Sequence, residues 1–205
     1  MKPDEKPRLV MRKQPTQSRS IATVQAILEG AARILVEQGY AKANTNVIAR
    51  RAGVSIGSLY EYFPGKEAIF AEIRRRQSQE LYSALTTGVN DTDLSSSIKS
   101  LIETHLRYVR ENLDLHLALT RDVPWSAIAD IDAAHTVDYL ERSQTFLKYR
   151  SLRPQGDPVF ISEFLMRLVA STINDFAFSS PEHLDNVQLE ESLVDIVGRY
   201  LIPDD

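Results

Sequence analysis

The chain has 205 residues, is 43% hydrophobic and 25% charged, carries a formal net charge of −4 and contains no cysteine. That length allows one large domain or two small ones with real cores. No apolar run approaches the roughly 18 residues of a membrane-spanning helix, and disulfides, thiolate metal sites and cysteine nucleophiles are excluded. The charge is unevenly spread: residues 1–76 hold 14 Lys and Arg against 7 Asp and Glu, net +7, and the remainder holds 10 against 21, net −11. A basic N-terminal module on an acidic body suits a protein that presents one end to phosphates.

Residues 1–15 are polar, with three prolines, and read as a disordered basic arm. Arg12, Lys13 and Arg19 suit such an arm to a minor groove, and a solvated tail is the rival reading. No apolar h-region follows the N-terminal lysines, so no secretory signal is expected. A first helix runs from Thr16 or Ser18 to Gln38, with Ile21, Val24, Ile27, Leu28, Ala31, Ile34 and Leu35 on one stripe and Gly39 just past its end. Residues 44–63 then read as two short helices around a tight turn. Asn44 caps the first, Val47, Ile48 and Ala52 give it an apolar face, Gly53 is the turn residue, Ser55 caps the second, and Pro64-Gly65 stops it. A unit of this kind sends its second helix into the DNA major groove. A fourth helix starts near Gly65-Lys66 and runs toward Gly88. Further helices carry Ile98 to Glu111, Leu113 to Leu119, Trp125 to about Tyr149, 158–179 and 186–201, with no strand pattern.

Ile48-Ala49, Ala52-Gly53-Val54-Ser55, Gly57, Leu59-Tyr60, Tyr62-Phe63 and Lys66-Glu67 closely resemble the signature of the TetR family of bacterial transcriptional regulators, over roughly residues 15–76. The resemblance implies an all-α protein of about nine helices. Its helix-turn-helix head would span 16–64, and its effector-binding and dimerisation body 65–205. It also implies that Thr45, Tyr60, Tyr62 and Lys66 touch the DNA backbone, contacts that set register rather than sequence. For Tyr62 the other reading is a ring packed in the head's core. Ile56, Gly57, Ser58 and Tyr60 lie on the outward face at the start of the second helix and are the base-reading candidates, with Ser55 as their cap. Ile56 suits a thymine methyl rather than a guanine, so Arg51 or its neighbour Arg50 is expected to add discrimination, with Arg19 and the arm.

Relatives in this family dimerise through their last two helices. Here Phe160, Phe164, Leu168, Leu193, Val197 and Tyr200 mark the face expected to do so, on helices whose apolar arcs are wider than one neighbour needs. Relatives also hold a small molecule in the body. The residues mixing aromatic and polar character there are His105, Tyr108, Leu119, Arg121, Trp125, Tyr139, Phe146 and Phe176, and for each of them plain core packing is the rival reading. His105, His116, His135 and His183 lack the (i, i+3) or (i, i+4) spacing of metal ligands. With no Gly-rich phosphate loop, nucleophile elbow or His-Glu-x-x-His, no catalytic residue, cofactor or metal is expected. The reading is a cytoplasmic, ligand-responsive repressor that binds a palindromic operator as a homodimer and is released by a hydrophobic or aromatic effector. An activator, or an effector-independent DNA binder of the same fold, stays open.

Overall fold

The structure is a computed structural model that describes residues 9–87, 93–124 and 156–202. Among the described residues it is all α, without strands: α1 (Ser18–Gln38), α2 (Thr45–Ala52), α3 (Ile56–Tyr62), α4 (Lys66–Thr87), α5 (Leu94–Glu111), α6 (Leu113–Asp122), α7 (Pro158–Ser179), a 3-10 turn (Pro181–Asp185) and α8 (Val187–Leu201). The helix expected over Trp125 to about Tyr149 lies outside these residues. Contacts divide the chain into two units, residues 1–78 with 114–132, and residues 79–113 with 133–205.

In the first unit the α1 stripe from Val24 to Leu35 meets Ile48 and Ala49 of α2, Leu59 and Tyr62 of α3, and Phe63 just beyond it. Ala68, Ile69, Phe70 and Ile73 of α4 and Ala118, Leu119 and Val123 complete this core. The sequence reading assigns both of these last segments to the body; packing groups them with the head. Gly30 shows why α1 and α2 fit so closely, since a Cβ there would lie 3.2 Å from the backbone nitrogen of Ala52. Ile21 is a correction: it is 52% exposed, because the stripe continues into the first turn of α1 while the elements packed against it do not.

In the second unit α5 buries Ile98, Ile102, Leu106 and Val109 and packs against α8 and α7. Asp93 starts α5 by accepting from the backbone N–H groups of Ser95 and Ser96, each at 3.1 Å. Arg110 donates to the Asp185 carboxylate at 3.0 Å and to the Leu184 carbonyl at 3.4 Å, tying α5 to the 3-10 turn. No described helix is long and apolar enough to cross a membrane.

Candidate nucleic-acid interface

Local chemistry shapes the helix-turn-helix. The Asn44 side chain accepts from the Val47 N–H at 3.0 Å and opens α2. Gly53 follows with φ 68 and ψ 26, the left-handed region where a Cβ is strained, and its N–H returns to the last turn of α2. Ser55 then accepts from the Ser58 N–H at 3.0 Å and starts α3. The Ser55 and Ser58 hydroxyls are also hydrogen-bonded, 2.8 Å apart.

The seven-residue α3 turns Leu59 and Tyr62 inward and leaves Ile56, Gly57 and Tyr60 outward. Ile56 and Tyr60 are each 39% exposed, and Ser58 is half-buried between them. The Tyr60 hydroxyl and Thr45 Oγ1 are hydrogen-bonded at 3.0 Å, so the first residue of α2 fixes the ring. A Cβ at Gly57 would meet nothing closer than Ser55 Oγ at 3.7 Å, so packing within the head does not require glycine there.

Tyr62 is a correction. It is 6% exposed and its ring belongs to the core, three residues after Leu59 on the same face, as the other reading of this residue has it. Arg51 is exposed, but its guanidinium donates to Glu37 of α1 at 2.5 Å. Arg19 is exposed in the first turn of α1. The Lys66 ammonium, in the first turn of α4, donates to the Tyr40 carbonyl at 3.1 Å and sits 4.0 Å from the centre of the Tyr40 ring. An ammonium has three donors, so this bond leaves capacity for an anion. Burial, then the Glu67 charge and hydrogen bond, push the Tyr40 hydroxyl from 10.0 up to about 12. A phenol held protonated in the folded state stabilises it fully below about pH 10, and that contribution is lost as pH rises through about 12. Stability should therefore fall across that window, with a shallower fall in Tyr40→Phe; alkaline unfolding curves of both proteins check this.

The arm is a second correction. Residues 9–13 lie on the head rather than free of it. Leu9 and Met11 pack against the core, the Arg12 N–H donates to the Tyr62 carbonyl at 2.8 Å, and Arg12 Nη1 donates to the Tyr60 carbonyl at 3.1 Å. The Lys13 ammonium pairs with Glu61 at 2.9 Å, and that hydrogen bond and charge raise its pKa. The alternation of Leu9 and Met11 among basic and proline residues is the only sequence signal for this.

The body residues scatter. Leu119 is fully buried in the core of the first unit, and Arg121 is exposed and paired with its neighbour Asp122 at 2.7 Å. Both are corrections to the pocket set, one being packed by its own helix face and the other turned to solvent. His105, Tyr108 and Phe176 belong to the second unit, where Phe176 meets His183 edge-on at 5.7 Å. Trp125, Tyr139 and Phe146 lie outside the described residues. On the expected dimer face, Phe160 (64% exposed) and Phe164 (41%) stack at 6.3 Å, and Phe164 meets Tyr200 at 5.6 Å. Leu168 is half-buried. Leu193 and Val197 are corrections: with Leu189 and Leu201 they form the stripe of α8 buried inside the unit, while Ile196, 52% exposed, stands on the open side.

A capped helix-turn-helix whose second helix turns an exposed face outward has the geometry of a DNA-binding head. Residues 27–73 match the model of bacterial regulatory proteins of the tetR family. These residues thus carry the DNA-binding domain of that family, and the chain as a whole is similar to TetR-family regulators. It is 30% identical over 106 residues to an uncharacterized HTH-type transcriptional regulator, YdgC of Bacillus subtilis, covering 48% of this chain and 53% of that one. It is also 30% identical over 139 residues to the nucleoid occlusion factor SlmA of Haemophilus influenzae, covering 66% and 62%. The chain thus spans about half to three fifths of the length of these curated relatives. Among solved structures, the SmeT–triclosan complex superposes with a TM-score of 0.71 at 20% identity, over 89% of this chain and 93% of that one. SmeT is the repressor of the Stenotrophomonas maltophilia multidrug efflux pump SmeDEF. At that identity the likeness establishes the fold.

Proposed function

We propose that this protein is a homodimeric, cytoplasmic repressor that reads a two-fold-related operator through α3 and releases it on binding a small apolar or aromatic effector in the body. The observation that carries this reading is the outward face of α3, where Ile56, Gly57 and Tyr60 stand exposed, with Ser58 half-buried between them behind a Ser55 cap. Phosphate contacts from Thr45 and Lys66 would supply much of the affinity, and the face of α3 the sequence preference. Gly57 fits this role. It has space for a Cβ, so Gly57→Ala should stabilise α3 by about 1 kcal/mol. The added methyl would hold the helix away from the bases and weaken operator binding about tenfold, the scale of one lost base contact. Thermal unfolding and operator titration of this variant check the two opposite signs.

Dimerisation is supported by exposed Phe160 and Phe164 on α7, which form a ring cluster with half-buried Tyr200 of α8, and by exposed Ile196 on α8, since apolar surface of this kind marks an interaction site. An effector is supported by the complex of SmeT with triclosan, a protein of this fold holding a small molecule. Sedimentation equilibrium tests the assembly. The wild-type protein should have twice the 23.2 kDa chain mass, and Phe164→Asp should shift it toward the monomer and lower operator affinity. A monomeric wild type at micromolar concentration contradicts the proposal.

A further inference from the structure

We propose that residues 9–13 are a strap that positions the recognition helix: Arg12 closes the C-terminal end of α3, and Lys13 masks the Glu61 carboxylate, so the segment sets the affinity of α3 for DNA without contacting phosphate. This rests on the reading of α3 as the DNA-facing helix. With only seven residues, α3 has more end groups without a helical partner than internal hydrogen bonds. The Phe63 N–H takes the Leu59 carbonyl. The carbonyls of Tyr60, Glu61 and Tyr62 then have no helical partner beyond them. Arg12 supplies two of these three missing donors, from its side chain to Tyr60 and from its backbone to Tyr62. Its cation also sits at the negative end of the helix dipole. Leu9 and Met11 anchor the segment on the core beneath. Tyr60 is consequently held twice, through its carbonyl by Arg12 and through its hydroxyl by Thr45.

Glu61 is the only acidic residue of α3, next to Tyr60 and exposed. A bare carboxylate on a helix entering the groove repels the phosphates, and Lys13 removes that charge without drawing on the residues that face DNA. Arg12 and Lys13 are therefore positioning residues.

The test uses the full-length protein and a labelled duplex recovered by the wild type from a randomised library. At about 50 mM salt, where exposed charges are least screened, Lys13→Ala should weaken binding about two- to fivefold, the scale of one exposed pair. Lys13→Ala with Glu61→Gln should return affinity to the wild-type level. A double variant as weak as Lys13→Ala overturns the masking role. Arg12→Ala should weaken binding about five- to tenfold, the scale of a lost helix cap, with the dependence of log K on log salt unchanged. A slope lowered by about one unit overturns the positioning role in favour of a direct phosphate contact. Amide hydrogen exchange of the free Arg12→Ala protein is the readout independent of DNA. Faster exchange confined to residues 56–63 supports the strap, and unchanged exchange overturns it. If the wild type recovers no duplex, the DNA-binding reading fails, and the exchange result still decides whether Arg12 holds α3.

Discussion

Replacing Phe70 with alanine lowers the stability of the first unit by about 3–5 kcal/mol, the range for truncating a fully buried aromatic ring. Phe70 is 0% exposed and sits in α4 among the core residues contributed by α1 and α3. Its ring lies 5.2 Å from that of Tyr40, tilted by 57°, within the contact distance of aromatic pairs. The site has little freedom to collapse. Tyr40 is tied through its carbonyl to Lys66 and through its hydroxyl to Glu67, so it cannot follow the lost ring into the cavity. A domain holds only about 5–15 kcal/mol in total, so the variant should unfold at a much lower urea concentration. A loss under about 1 kcal/mol would mean that this ring does not fill the core as described.

Tyr60→Ala should do the reverse, leaving stability almost unchanged while lowering operator affinity by about 1–3 kcal/mol, about fivefold to over a hundredfold. The ring is 39% exposed, so truncating it removes little packing. Its hydroxyl bond to Thr45 Oγ1 joins two exposed groups that water satisfies in its absence. What is lost is the fixed direction of a side chain on the outward face of α3. Tyr60→Phe separates the parts: it keeps the ring, frees Thr45, and should have the smaller effect. Unfolding curves and duplex titrations on the same preparations distinguish the cases. A Tyr60→Ala protein that binds as well as wild type removes this residue from the interface.

What the sequence made legible was local. Asn44, Gly53 and Ser55 are readable because a cap and a left-handed turn depend on residue type and near neighbours alone. Tyr62 was ambiguous for the same reason: a tyrosine carries both a core ring and a polar tip, and only its three-residue spacing from Leu59 favoured the interior. On α8 the periodicity revealed a wide apolar arc but not its division between Leu189, Leu193, Val197 and Leu201 inside and Ile196 outside, because that depends on where α5 packs. Leu119 joins a core built from residues between Val24 and Ile73, and nothing near it in sequence records that partnership. The strap was least legible: its prolines and charges resemble those of a solvated tail, and its bonds to Tyr60 and Tyr62 span about fifty residues.

The central claim, that the outward face of α3 reads DNA sequence, is tested most directly by selecting duplexes from a randomised library with the wild-type protein at about 0.15 M salt. The account predicts an enriched sequence with two related half-sites about one helical turn apart or a multiple of it, bound about a thousandfold or more tighter than random duplex. Repeated rounds that enrich nothing, with equally weak binding to the starting and final pools, would contradict it.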